Sequence, residues 1–181
     1  MSAFALFETA IGTCGIAWGD RGLVGVQLPE PSTDETRWRL RRRYPGASEA
    51  PPPPEVRRAI DAIAAQLRGE AADLSSIGLD LSGVPEFHRR VYEVARAIPS
   101  GATLSYGEVA ARLGEPSAAR EVGQALGRNP FPIVVPCHRV VASDGTLGGY
   151  AGGLDAKRRL LQLERGSVPR GGWPPAHLSR I

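Results

Sequence analysis

Ser105-Tyr106-Gly107-Glu108-Val109-Ala110-Ala111-Arg112-Leu113-Gly114, followed by Glu115-Pro116-Ser117-Ala118-Ala119-Arg120-Glu121-Val122-Gly123-Gln124-Ala125-Leu126-Gly127, reads as two short helices across a tight turn. Ser105 with Glu108 three residues on has the form of a capping box, in which hydroxyl and carboxylate each accept an unpaired N–H at the helix start. Gly114 stops the first helix, Pro116 breaks the chain, and Ser117 is placed to cap a second helix reaching about Gly127. This is a helix-turn-helix, a pattern shared by DNA readers and by ordinary helical cores. In the second helix Ala118, Val122, Ala125 and Leu126 form an apolar stripe, with Arg120, Gly123, Gln124 and Gly127 opposite. Glycine within a helix costs about 1 kcal/mol relative to alanine. Gly123 therefore asks for the close approach of another backbone, either a neighbouring helix or DNA.

Upstream, Phe87, Val91, Val94, Ala95 and Ile98 keep helical spacing until Pro99-Ser100-Gly101. Ser82-Gly83-Val84-Pro85 marks a domain boundary, giving residues 1–82, 83–166 and a tail, 167–181. In the first part, Ala3 to Thr9, Thr13 to Trp18 and Leu23 to Leu28 read as strands of a β-hairpin, with Gly19-Asp20-Arg21-Gly22 as a turn. Ser32 to Tyr44 reads as a helix with an arginine-rich solvent face, and Pro51 to Pro54 as a stiff connector. Val56, Ile60, Ile63, Ala64 and Leu67 then mark an amphipathic helix ended by Gly69, and Ile77 to Leu81 a further strand. The fold class is thus a small α/β amino-terminal domain followed by a mainly α carboxy-terminal domain.

At 181 residues, 42% hydrophobic and 23% charged, the chain has the composition of a soluble globular protein. No apolar run is long enough to span a bilayer and no leader pattern opens the chain, so a cytoplasmic protein without a membrane partner is expected. Two cysteines and three histidines, widely spread, offer neither a disulfide framework nor zinc-ligand spacing, so no metal or cofactor is expected. Charge is uneven. Residues 1–84 carry 9 arginines against 11 acidic residues, whereas residues 85–181 carry 13 Lys+Arg against 8. A polyanion would meet the second half.

Cys137 lies in Ile133-Val134-Val135-Pro136-Cys137-His138-Arg139-Val140-Val141. A cysteine in apolar surroundings is more often inert than reactive. Pro136, however, interrupts the strand pattern just before the thiol, and His138 is an available proton acceptor. Neighbours in an extended segment point oppositely, so a water or a turn must link the two. His138 also needs an orienting group. Glu164 qualifies, at the end of a helix that Asp155 can cap and Gly166 can stop, where the helix dipole disfavours a carboxylate. A contact with His138 would explain its placement; without one, a solvated glutamate beside Arg165 is the better reading.

Pro136-Cys137-His138-Arg139-Val140-Val141, with Asn129-Pro130 before it and Gly149-Tyr150-Ala151-Gly152-Gly153 after it, resembles the O6-alkylguanine-DNA alkyltransferases. The likeness runs from about Phe87 to Gly166 and takes in Ser105-Tyr106-Gly107, Ala118-Ala119-Arg120 and Leu160-Leu161-Gln162-Leu163-Glu164. It implies a variable, RNase H-like amino-terminal domain and a winged helix-turn-helix-like DNA-binding motif. It implies direct-reversal repair by a methylated-DNA–protein-cysteine methyltransferase, acting once. The alkyl group on O6 of guanine, and on O4 of thymine, would pass irreversibly to Cys137 after the nucleotide is flipped from the duplex.

The resemblance also implies a role for each matching residue. His138 takes the thiol proton through a water and Glu164 orients the imidazole. Tyr106 donates to the leaving guanine, and Asn129 braces the turn before the active-site segment. Arg120 fills the vacated stack, Ala119 and Gly123 let the helix press into the minor groove, and Gln124 and Arg128 complete the DNA face. Tyr106, Leu126, Val140, Tyr150, Ala151 and Gly152 form the base pocket. There the amide of Ala151 bonds O6, and the carbonyls of Cys137 and Val140 hold the exocyclic amine. The implied partner is duplex DNA bound by a monomer.

Three positions depart from the family pattern. Arg159 replaces a frequent tryptophan, Glu121 sets a negative charge beside Arg120, and the zinc ligands of some animal members have no counterpart. Three other readings compete. A non-catalytic sensor of alkylated DNA on the same fold would carry tryptophan in place of Cys137. A Cys-His hydrolase would need an oxyanion hole and turnover. A simple helix-turn-helix regulator leaves Pro136-Cys137-His138 idle.

Overall fold

The computed structural model describes residues 1–165. The chain divides into two compact units, Met1–Gly83 with Pro130–Val134, and Val84–Asn129 with the chain from Val135 onward. The tail and the proposed stop at Gly166 lie outside the described residues.

In the first unit β1 (Ala3–Thr9), β2 (Gly12–Gly19) and β3 (Gly22–Gln27) form an antiparallel meander. A two-residue strand that the sequence did not signal, β4 (Ser48–Glu49), joins β1 in parallel and makes the four-stranded sheet mixed, in the order β3-β2-β1-β4. Helix α1 (Thr33–Arg43) starts where expected because the Ser32 hydroxyl accepts the N–H of Glu35. Leu40 of α1 is fully buried with Phe4 and Ala17, and Gly15 leaves the space that Leu40 fills. Helix α2 (Pro54–Leu67) begins on proline, which has no N–H to lose there, and buries Val56, Ala59, Ile63 and Leu67. The strand expected over Ile77 to Leu81 is only an isolated bridge from Leu79 to Leu23. The segment 130–134 belongs with this unit, where Val26 N–H donates to the Pro130 carbonyl at 2.9 Å.

The second unit contains α3 (Glu86–Arg96), β5 (Leu104–Ser105), α4 (Tyr106–Arg112), α5 (Ala119–Gly127), a 3₁₀ turn (Cys137–Arg139), β6 (Val140–Val141) and α6 (Leu154–Leu163). Both halves of the capping box form. Ser105 Oγ accepts the Glu108 N–H at 3.0 Å, and Glu108 Oε2 accepts the Ser105 N–H at 2.6 Å. Gly114 takes the left-handed conformation, φ +76°, that ends α4. Ser117 does not cap α5. The preceding turn closes through Ala118 N–H to Glu115 C=O, so Ala118 is the cap residue and no side chain bonds there.

Val122, Ala125 and Leu126 are buried as expected, whereas Ala118 is only half-buried. Tyr92 of α3 fixes α5 by donating from its buried hydroxyl to the Ala125 carbonyl at 2.8 Å. Strands β5 and β6 pair in parallel, Leu104 with Val140 and Ser105 with Val141. Tyr106, which follows β5, is thereby set level with Ala142, which follows β6. No described helix is long and apolar enough to cross a membrane.

Candidate active site and nucleic-acid interface

The run expected to carry Cys137 as an extended segment is broken twice, at Ile133, whose φ of +74° places it in a turn with Val134, and again at Pro136. With φ −78° and ψ 65°, Pro136 centres an inverse γ-turn closed by Cys137 N–H to Val135 C=O at 2.7 Å. The 3₁₀ turn then follows, so Cys137 and His138 are joined by a turn and not opposed across a strand. Asn129 braces the approach by donating its amide to the Val135 carbonyl at 3.0 Å. Its side chain and that of Tyr150 also reach the Cys137 thiol. Burial pushes that thiol upward, opposed by Asn129 and by the positive charge of Lys157.

His138 is 1% exposed, and its Nε2 lies 2.7 Å from Glu164 Oε1. A carboxylate can only accept, so Nε2 carries the proton and Nδ1 keeps its lone pair. Among the described residues Nδ1 has no hydrogen-bond partner. Burial pulls the imidazole pKa down while Glu164 pulls it up, and burial prevails, so the ring rests neutral and able to take a proton.

Glu164 closes α6 as its C-cap. The sequence supplied only His138 as its partner, but Arg139 matters as much. Arg139 donates from Nε to Oε2 at 3.0 Å and from Nη2 to Oε1 at 2.8 Å, and its Nη1 donates to the Ile98 carbonyl at 2.6 Å. Burial alone would raise the Glu164 carboxyl, but the bonds from His138 and Arg139 bring it down to about 2. Asp155 does not cap α6. Gly153, at φ +92°, stands there, and Asp155 pairs with Arg158 in the first turn.

Lys157 was missed as well. It is fully buried, with its ammonium on the carbonyls of Val140 at 2.7 Å, Leu147, and Gly149 at 3.0 Å. A signal for both charges existed. Lys157, Leu160, Leu161 and Glu164 repeat at i, i+3, i+4 and i+7, so the two charged residues terminate the inward stripe of α6.

Cys137 opens onto a cavity of about 550 Å³ lined by Tyr106, Leu126, Tyr150, Ala151 and Gly149 and by Ala119, Arg120 and Gly123 of α5. Arg120 is exposed at this rim. Gln124 and Arg128 are exposed on and just after α5, outside the lining. Gly152 is exposed and Val140 fully buried, neither of them in the lining. The carbonyls of Cys137 and Val140 each already accept one bond, from Val140 N–H and from Lys157. Glu121 lines a separate small cavity with Phe87, Glu115 and Ser117, so its charge sits apart from the Arg120 rim. Arg159 is exposed and is not among the residues that line the cavity. The described residues contain no cluster of acidic, histidine or cysteine side chains able to hold a metal.

Gly123 is not explained by packing among the described residues. A Cβ there would meet the Tyr106 ring at 3.8 Å, an ordinary contact. No neighbouring helix demands glycine at this position.

The profile of the family described as 6-O-methylguanine DNA methyltransferase, DNA binding domain, matches residues 86–166. A methylated-DNA–protein-cysteine methyltransferase of Mycolicibacterium paratuberculosis is 40% identical over 93% of this chain and 96% of its own. One from Methanothermobacter thermautotrophicus is 41% identical over 83% and 78%. The Mycobacterium tuberculosis O6-methylguanine methyltransferase structure superposes with a TM-score of 0.75 at 35% identity, covering 94% of this chain and 96% of that one. The M. tuberculosis OGT structure in complex with DNA gives 0.77 at 34%, covering 93% and 96%. With a reactive-site turn, a pocket and a helix rim in one unit, and relatives aligned along nearly its whole length, this chain belongs to the methylated-DNA–protein-cysteine methyltransferase family.

Proposed function

We propose that the protein repairs O6-alkylguanine in duplex DNA, and O4-alkylthymine by the same chemistry, by moving the alkyl group to Cys137 Sγ in one irreversible event. The observation that carries this reading is the thiol on the wall of a cavity whose rim is α5, backed by His138 and Glu164. The thiol proton leaves through a water to His138 Nδ1, and Glu164, held anionic, stabilises the imidazolium that forms. Sγ attacks the alkyl carbon and the C–O6 bond breaks, its electron pair remaining on the guanine. Tyr106 donates a proton to the ring nitrogen that gathers this charge. The product is a thioether and an unmodified base.

Because the target atom is inside the duplex, the nucleotide must be flipped out. The α5 rim suits that step, with Arg120 entering the stack and Ala119 and Gly123 allowing close approach to the minor groove. Gln124 and Arg128 extend the contact to the phosphates. Tyr150, Ala151, Gly152 and Leu126 enclose the base, and the Ala151 amide meets O6. The spare lone pairs of the Cys137 and Val140 carbonyls remain open to the exocyclic amine. In this reading the chain folds as an RNase H-like domain, 1–82, a winged helix-turn-helix-like domain, 83–166, and a tail. It works as a cytoplasmic monomer.

Gly123→Ala separates the two explanations of that glycine. The folded protein is expected to gain up to about 1 kcal/mol in a thermal melt, while its affinity for a duplex falls in a fluorescence titration. Unchanged DNA affinity would remove Gly123 from the interface. Single use is tested by counting repaired bases with duplex in excess. At most one equivalent per protein molecule is expected, whereas steady release of product would favour a Cys-His hydrolase.

A further inference from the structure

Lys157 is a fully buried cation with no carboxylate of the described residues within ion-pair distance, an arrangement that is costly unless other contacts compensate. Three backbone carbonyls, of Val140, Leu147 and Gly149, take its three N–H groups, and the Tyr106 hydroxyl oxygen lies 3.4 Å from the same nitrogen. Its ammonium also stands 5.7 Å from the Tyr106 ring centroid. The phenol is parked loosely, donating to Gly149 C=O at 3.4 Å, a carbonyl that Lys157 already satisfies at 3.0 Å. Tyr106 can therefore leave Gly149 without stranding a buried acceptor. The loop is shaped to permit this closeness. At Gly148, φ +70°, a Cβ would lie 2.7 Å from the Tyr106 oxygen, so only glycine fits there.

We propose that Lys157 is a positioning residue for alkyl transfer, acting through Tyr106: it pins the 147–149 loop and sets the phenol as a donor to the departing guanine. This rests on the alkyl-transfer reading above. A fixed positive charge beside the phenol oxygen favours release of its proton as negative charge grows on the base. Afterwards the tyrosinate is neutralised from the protonated His138 side through solvent, so protons balance. The titratable groups facing Lys157 are Tyr106 from α4 and Cys137 and His138 from the 3₁₀ turn. Burial brings the lysine down to about 8, so its charge is present at neutral pH and lost as pH rises through that value.

The test is single-turnover repair of a duplex carrying O6-methylguanine by wild type, Lys157→Gln, Tyr106→Phe and the double variant. Glutamine still donates to the carbonyls but carries no charge. Lys157→Gln is expected to lower the saturating rate by tenfold or more, with the half-saturating DNA concentration within twofold of wild type. In the Tyr106→Phe background the same change should cost less than twofold. Equal losses in both backgrounds, or no loss, would overturn the proposal. A second measurement needs no lysine variant. Between pH 7 and 9.5 the ratio of wild-type to Tyr106→Phe rates should fall as pH passes about 8, and a constant ratio would refute the role. A wild type that takes up no methyl group would instead refute the alkyl-transfer reading itself.

Discussion

Glu164→Gln is expected to lower stability by about 3–5 kcal/mol and to slow alkyl transfer by roughly 10²–10⁴-fold. The stability loss comes from Arg139. Its guanidinium is buried, and two of its nitrogens donate to the carboxylate. Glutamine has one acceptor oxygen and no charge, which leaves a buried cation poorly matched. The rate loss comes from His138, whose imidazolium would form next to an amide and not an anion. Urea unfolding and single-turnover kinetics read the two effects separately. A variant as stable as wild type would show that the triad contributes little to the fold.

The same carboxylate sets an acid limit. Its folded value is about 2, depressed from an ordinary 4.5. A depressed carboxyl adds stability that is present above its unfolded value and is lost as pH falls toward the folded one. Wild type should therefore lose stability from about pH 4.5 down toward 2, and Glu164→Gln should lack that component.

Arg120→Ala is expected to slow repair in duplex DNA by about 10–100-fold, while free O6-benzylguanine reacts at nearly the wild-type rate. Extruding a nucleotide costs a few kcal/mol in lost stacking and pairing, and a side chain that fills the gap returns part of it. A free base has no stack to replace. Arg120 is exposed at the cavity rim and pairs with no acidic residue among the salt bridges of the described chain, so its removal should leave the fold intact. Equal losses on both substrates would contradict the flipping role.

What could be read from the residues divides by range. Ser105 and Glu108 act over one turn, so the start of α4 and the place of Tyr106 were legible from spacing alone. Strands β1 to β3 and helices α1 to α3 were legible for the same reason. The two-residue β4 and the bridge at Leu79 depend on distant partners, Ala3, Phe4 and Leu23, and short-range patterns carry no trace of them. At Cys137 the run of valines suggested a strand, but a turn at Ile133-Val134 and the γ-turn at Pro136 redirected it; the proline hinted at the second, and nothing local signalled the first. His138 with Glu164 was suggested by the cost of a carboxylate at a helix end. Arg139 and Lys157 were overlooked because a cation is ordinarily taken as solvated, although both are buried on backbone carbonyls and Glu164.

The central claim is that Cys137 accepts the alkyl group. Incubating the full chain with duplex DNA carrying O6-methylguanine, then weighing the intact protein and mapping its peptides, tests this directly. The expected result is one added methyl group per molecule, located on Cys137 and absent in Cys137→Ala. Folded wild-type protein that gains no mass, or a methyl group found on another residue, would contradict it.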